Sequence, residues 1–394
     1  MLKYLNLYGS RGLEIVRGEG QYVWDSNNRK YIDCHTGHGV AFLGHRNPKI
    51  VESVREQLGR IVTLSSSYDH RLREEVADSL ERITPKQYSH FYLLNSGSEA
   101  VDFALKVARK ITGRKKFLSF IGAFHGRTFG ALSVTWNPKY RRPFEPLLDV
   151  EFVKFNDVSA AEEAITRDVA AVIVEPIQGE GGINPASKEF MKALREITEE
   201  RDVILIVDEI QTGFGRTGNV WASDSYKVYG DIMLAGKAIG GGIPVSIAFL
   251  GDEIGNSLSE GDHGSTFGGN LLAMAAVKAS INVLLEDGIP SKAEAAGLRL
   301  MKGLEGACKN LKIVRDIRGS GLMIGIDLRF DPKPVLEHLQ QSGILALKAG
   351  TTVIRLLPPY LINDNDIDFI VSSLERCLSE EDARRAYAGA PQGL

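Results

Sequence analysis

The sequence predicts an α/β fold: an open, mainly parallel sheet with helices on both faces, followed by a smaller α+β unit. Three observations carry the prediction. From about residue 70 to 250, short apolar runs alternate with segments of helical period, as when crossover helices join parallel strands. Two of those runs, VILIV at 203–207 and IMLA at 232–235, are apolar throughout, as strands buried on both faces are. Beyond about residue 310 the pattern changes to strand pairs around a Gly-Ser-Gly turn.

The elements follow in order. Residues 1–45 read as a strand-rich arm, with a hairpin in GQYVWDSNNRKYIDC around Asp25, Ser26, Asn27 and Asn28. A helix begins near Pro48 and runs through VESVREQLGRI. Residues 70–83 are helical, with Leu72, Val76 and Leu80 four apart. The strand at 90–94 breaks at NSGSEA, and a helix follows from Ala100 with Val101, Ala104, Leu105 and Ala108 on one face. Strands are expected at 115–121, 150–155, 170–174, 203–207, 232–235 and 245–250, with a helix at 189–199. Val245 follows the glycine run so closely that the last of these strands should return antiparallel. Helices are expected at 273–285, 292–310, within KPVLEHLQQSG and at 364–378; strands within KIVRDIRGSGLMIGIDLRF and VIRLLPPYL. The polar tail from Ser379 reads as frayed. These elements divide into an N-terminal arm (1–45) packing with a small domain, a large domain (46–281) and the small C-terminal domain (282–394).

Composition narrows the class. The chain has 394 residues, 43% hydrophobic and 25% charged, with 47 basic against 50 acidic residues and a net charge of −3. That balance gives no overall attraction to nucleic acid or to an anionic membrane. Three dispersed cysteines without CxxC spacing point to neither a zinc site nor a disulfide framework, and fit a reducing cytoplasm. No signal-peptide core is visible, and no apolar run approaches the roughly 20 residues that span a bilayer. His35, His38 and His45 cluster without metal-ligand spacing, so they read as hydrogen-bonded or substrate-lining rather than as a metal site.

The chemistry centres on 203–244. One buried-type strand ends in Asp208 and Glu209, the other in Lys237 beside Gly240, Gly241 and Gly242. Both deliver an ionisable residue at a strand's C-terminal end, the mouth of a parallel sheet. A buried acid needs a partner, and a lysine in such a site can form a Schiff base. The pair suits pyridoxal phosphate: the acid would keep the ring nitrogen protonated, and the amine would meet the aldehyde. NSGSEA, opening a helix, reads as a phosphate site or as a simple N-cap. Phe124 reads as a ring-stacking or a core aromatic, Arg127 as a carboxylate clamp or a surface ion pair. Glu180 and Arg355 are far apart in sequence, and nothing in their spacing pairs them.

NSGSEA, FHGRT, EPIQGEGG, DEIQTGFGRTG, GKAIGGGIP, HGSTFGGN, RGSGLMIG and VIRLLPP occur in that order over about residues 10–378. The set resembles the class III pyridoxal-phosphate aminotransferases of the acetylornithine/ornithine type. The resemblance implies the type I fold, with a mainly parallel seven-stranded sheet, and a homodimer with shared active sites. It implies Lys237 as Schiff-base and proton-carrying lysine, Asp208 as ring-nitrogen partner, and Ile210 and Phe124 on the two ring faces. Gln211 falls near the ring oxygen; Gly97 and Ser98 hold the phosphate, with Thr266 from the partner subunit and Ser265 near substrate. Arg127 is the implied substrate-carboxylate residue. Glu180 and Arg355 are implied as a switch, Glu180 masking Arg355 for the ω-amino substrate and releasing it for glutamate. Ser98 replaces the usual threonine, Leu271 stands where proline is usual, and His38 replaces an apolar residue.

Within the family, TGHGVAFLGHRNP, VARKITGRKK and SVTWNPKYRRPFEPL are most similar to archaeal enzymes that make lysine or ornithine on an acidic amino-group carrier protein, LysW. An acidic carrier would meet a basic rim, and KYRR at 139–142 and RKK at 114–116 are candidates. Transamination with 2-oxoglutarate/glutamate would then serve lysine or arginine biosynthesis. The alternatives are an acetylornithine or 4-aminobutyrate aminotransferase acting on free molecules, and a non-catalytic cofactor- or carrier-binding protein.

Overall fold

The computed structural model describes residues 2–388. Its centre is a seven-stranded sheet in the order Tyr88–Leu94, Ser246–Gly251, Ile232–Ala235, Ile204–Asp208, Val169–Val174, Lys116–Phe120 and Val150–Val153. Only Ser246–Gly251 runs antiparallel to its neighbours, as the short connection after the glycine run required. Helix Gly97–Thr112 covers one face through Val101, Ala104, Leu105 and Ala108. Helix Lys188–Glu200 covers the other through Phe190, Leu194 and Ile197. The middle strands therefore carry apolar side chains on both faces, which is why they read as unbroken runs.

The expected arm hairpin is present, Tyr22–Asp25 pairing antiparallel with Lys30–Asp33. Its second strand also pairs in parallel with Ile344–Leu345, so a C-terminal segment completes the arm's sheet. A further sheet joins Val314–Ser320, Met323–Leu328, Val353–Leu356 and Leu347–Ala349. Long helices Leu271–Glu286 and Ile289–Cys308 lead into it. No helix among the described residues is long and apolar enough to cross a membrane.

Two expectations need correction. The helix expected from Ala100 starts at Gly97, because Ser96 and Glu99 form a reciprocal capping box one turn earlier. The tail expected to fray from Ser379 instead continues helix Asp364–Ala388. Asp382 accepts the Ile313 N–H at 3.0 Å, and the Arg385 guanidinium lies 3.5 Å from the Phe330 ring centre. These contacts dock the last turns on the neighbouring elements; residues 389–394 lie outside the described residues.

Candidate active site

Four parallel strands end on the same edge of the sheet and deliver the candidate residues there. Ile204–Asp208 delivers Asp208, only 4% exposed. Its two oxygens accept from the Ile210 N–H at 3.0 Å and contact His125 Nδ1 at 2.7 Å. Each oxygen has room for a second donor. His125, in the loop after Lys116–Phe120, is fully buried, and its Nε2 has no partner among the described residues. Glu175 follows Val169–Val174, accepting the N–H groups of Phe124 at 2.9 Å and Gly179 at 3.1 Å. Burial raises its pKa to about 7, with the Asp208 charge adding and His125 opposing.

Ile232–Ala235 delivers Lys237 through Gly236. Lys237 sits at φ 47°, a left-handed conformation that a non-glycine residue adopts only where its surroundings enforce it. Among the described residues its amine has no hydrogen bond or ion pair. Burial lowers its pKa to about 8; Glu180 pulls it up, Arg355 pushes it down, and Asp208 and Glu175 pull it up by smaller amounts.

At the N-terminus of the Gly97–Thr112 helix the capping box satisfies Glu99 N–H through the Ser96 hydroxyl, while the Glu99 carboxylate takes the N–H groups of Asn95 and Ser96. The Gly97 and Ser98 N–H groups are left without an acceptor among the described residues, which makes an anion site. Ser98 Oγ accepts the Arg127 N–H at 3.1 Å. Ile210 packs between Gly97 and Gly236; a Cβ at those positions would lie 2.9 Å and 3.3 Å from its side chain. Ile210 thus forms a floor between the anion site and Lys237.

Arg355, on Val353–Leu356, is completely buried. Its Nη1 donates to Gln211 Oε1 at 3.0 Å, and Nη2 is 2.7 Å from Glu180 Oε1. That second contact is an ion pair without hydrogen-bond alignment, so Nε and Nη2 have no hydrogen-bond acceptor among the described residues. Glu180 rides on a small hairpin of Ile177–Gln178 with Asn184–Pro185. Burial disfavours its ionisation, but Arg355, His38 and Lys237 outweigh that and hold its carboxyl far below the usual range. A Cβ at Gly179 would lie 2.0 Å from Gln211 Oε1, so a side chain there would push away the amide that Arg355 donates to.

The remaining candidates spread outward. Phe124 is half-buried beside Asp208's partner His125. Arg127 is exposed, its guanidinium stacked 3.4 Å from the Tyr140 ring centre and 5.7 Å from that of Phe124. Ser265 Oγ accepts from Asn95 Nδ2 and Gly268 N–H, both at 3.0 Å. Thr266 is exposed and has no hydrogen bond to the other candidates among the described residues. Of the two basic segments, 139–142 adjoins Arg127 through Tyr140. The other starts its strand, at the opposite edge of the sheet from the site. There Lys116 pairs with Glu151 at 2.8 Å, and Arg114 donates to the carbonyls of Val169 and Asp202. The histidines are separately engaged: His45 with Asp33 at 2.7 Å, His35 with the His38 N–H at 3.3 Å, and His38 with Glu180 at 3.7 Å.

Sequence reasoning missed His125, Glu175 and Arg216. All three lie inside motifs it quoted, but their roles depend on the fold, which spacing does not reveal: His125 and Glu175 are buried near Asp208, and Arg216 is buried against the carbonyls of Gly39, Leu322 and Pro358.

An open helix terminus for a phosphate, a buried carboxylate with spare acceptor capacity, an unpaired amine and a flat aliphatic floor together fit pyridoxal phosphate. The profile described as "Aminotransferase class-III" matches residues 8–378, and the chain belongs to that family: it is a pyridoxal-phosphate-dependent aminotransferase. It is 56% identical over 368 residues to the [LysW]-aminoadipate semialdehyde/glutamate semialdehyde transaminase of Sulfolobus acidocaldarius, covering 93% of this chain and 95% of that one. It is 52% identical over 386 residues to the enzyme of the same name from Sulfurisphaera tokodaii, covering 98% and 100%. In structure it is similar to an ornithine aminotransferase from Toxoplasma gondii with pyridoxal phosphate at partial occupancy in its active site. That match has a TM-score of 0.91 at 31% identity, over 96% of this chain and 92% of the other.

Proposed function

We propose that this aminotransferase exchanges the ω-amino group of lysine, ornithine or both, carried on LysW, with 2-oxoglutarate/glutamate. The carrier comes from the names of the relatives at 52–56% identity. The observation that carries the two-substrate reading is that buried Arg355 has Nε and Nη2 without a hydrogen-bond partner among the described residues, while Glu180 Oε1 lies 2.7 Å from Nη2. A guanidinium edge with two parallel donors matches a carboxylate bidentately. With Glu180 in place it is neutralised and suits a substrate without a carboxylate there; with Glu180 displaced it takes the α-carboxylate of glutamate or 2-oxoglutarate.

Pyridoxal phosphate would be held by Lys237, by Asp208 at its ring nitrogen, by Ile210, Phe124 and Gln211 around the ring, and by Gly97 and Ser98 at its phosphate. Thr266 would come from a second copy of the chain. When bound, the cofactor supplies an aldehyde for the amine and a ring that takes up electrons from the substrate carbon. Asp208, braced by His125 and the Ile210 N–H, would present its carboxylate to the ring nitrogen at the base of the site. Lys237, whose amine has no partner among the described residues, would carry the proton between the substrate carbon and the cofactor's aldehyde carbon. Arg127 and the basic 139–142 segment lie outermost, where an acidic carrier would dock. We place the enzyme in the cytoplasm, which suits its three buried free cysteines.

The test is a comparison of kcat/KM for LysW-linked lysine, LysW-linked ornithine, acetylornithine and 4-aminobutyrate, with 2-oxoglutarate as acceptor. The carrier-linked amines are expected to lead by at least about a hundredfold, near 3 kcal/mol. Higher values for the free compounds would reject the carrier.

A further inference from the structure

We infer that His38 is a positioning residue that receives Glu180 when a substrate carboxylate displaces it from Arg355. This rests on the reading of Glu180 and Arg355 as an exchange pair. The same oxygen, Glu180 Oε1, is 2.7 Å from Arg355 Nη2 and 3.7 Å from His38 Nδ1. A shift of about 1 Å brings it within hydrogen-bond distance of the imidazole. Without such a partner the displaced carboxylate would be left in a largely buried site, a cost that would be charged against binding of the incoming carboxylate.

His38 is held for this purpose by unusual backbone. Thr36, Gly37, His38 and Gly39 all have positive φ, at 47°, 58°, 60° and 96°. A run of left-handed residues costs roughly 1–2 kcal/mol for each non-glycine member and persists only when clamped. The clamp is visible. Asp33 accepts the N–H groups of His35 and Thr36 at 2.9 and 2.8 Å, and the Thr36 hydroxyl donates to the Leu357 carbonyl at 2.7 Å. Leu357 follows the strand that carries Arg355, so the turn and Arg355 are fixed in one frame.

The groups around His38 are few. The His35 ring meets it edge-on at 4.7 Å and Tyr8 lies at 5.8 Å. Glu180 faces it, with Arg355 and Lys237 beyond Glu180 and Arg11 beside His35. Burial, His38 and Arg11 lower the His35 pKa to about 4, so His35 stays neutral and its Nδ1 only accepts. The imidazole nitrogen within reach of Glu180 is therefore His38 Nδ1.

Glutarate, a non-reactive dicarboxylate, is the probe, titrated calorimetrically into the holoenzyme. His38→Gly, which removes the ring while suiting the backbone, should weaken glutarate binding about fivefold to tenfold. It should also raise KM for 2-oxoglutarate by a similar factor, with a smaller effect on KM for the amine donor. His38→Gln, which keeps a donor, should recover part of both. In Glu180→Gln, glutarate should bind tighter than in wild type, and adding His38→Gly should change nothing. If Glu180→Gln leaves glutarate affinity unaltered, the exchange pair itself fails. If it tightens binding while His38→Gly leaves glutarate affinity and acceptor KM as in wild type, the role of His38 alone is overturned.

Discussion

Lys237 and Glu180 sit in one site and are driven in opposite senses by the same two forces. Burial works against both charges. Lys237 has only distant carboxylates in compensation and its pKa falls to about 8, whereas Glu180 has Arg355 in direct contact and stays ionised. A lysine with a lowered pKa is mostly ammonium below that value and cannot accept a proton; above it the amine is neutral. The single-turnover rate with an amine donor should therefore rise with pH and level off above about 8, measured by stopped-flow absorbance. A rate that falls over pH 6.5–8 would remove Lys237 as the proton acceptor. That Lys237 and Asp208 stand at strand ends was legible from the apolar runs before them. Which groups surround them was not, because His125, Glu175 and Arg355 arrive from other strands.

Helix Gly97–Thr112 begins where cap chemistry, not apolar periodicity, places its start. Ser96 caps Glu99, and its carbonyl also accepts the Ser246 hydroxyl at 2.7 Å, tying the helix start to the antiparallel strand. Ser96→Ala should destabilise the protein by about 1 kcal/mol, measured as a shift in denaturation midpoint. It should also weaken cofactor binding, because the Gly97 and Ser98 N–H groups lose their fixed orientation. Unchanged cofactor affinity would separate the cap from the anion site. The C-terminal helix makes the converse point: its last turns are polar and looked unstructured, yet Asp382 and Arg385 find partners on elements distant in sequence.

At the scale of the molecule, Arg216 joins three segments. Its guanidinium is fully buried and donates to the carbonyls of Leu322 at 3.0 Å, Pro358 at 2.7 Å and Gly39 at 3.3 Å, over the Phe42 ring. It therefore connects the loop after Asp208 with the turn that carries His38 and the segment that follows Arg355. Burial and Arg355 lower its pKa to about 9, but it remains charged at neutral pH. Arg216→Met would leave three buried carbonyls without a donor. The expected cost is about 3–5 kcal/mol, read from guanidinium denaturation of the holoenzyme. A loss below about 1 kcal/mol would show that the segments hold together without it.

The sequence by itself determined the parallel sheet, its one antiparallel strand, the family and the residues at the strand ends. Each of these is written in local pattern: apolar runs, glycine loops and cap residues act over a few positions. Only the tertiary structure decided which charges meet. The contact of Glu180 with Arg355 spans 175 residues and that of His38 with Glu180 spans 142. Neither has a local signature, because the energy of an ion pair depends on distance and burial in the folded chain, not on separation along it.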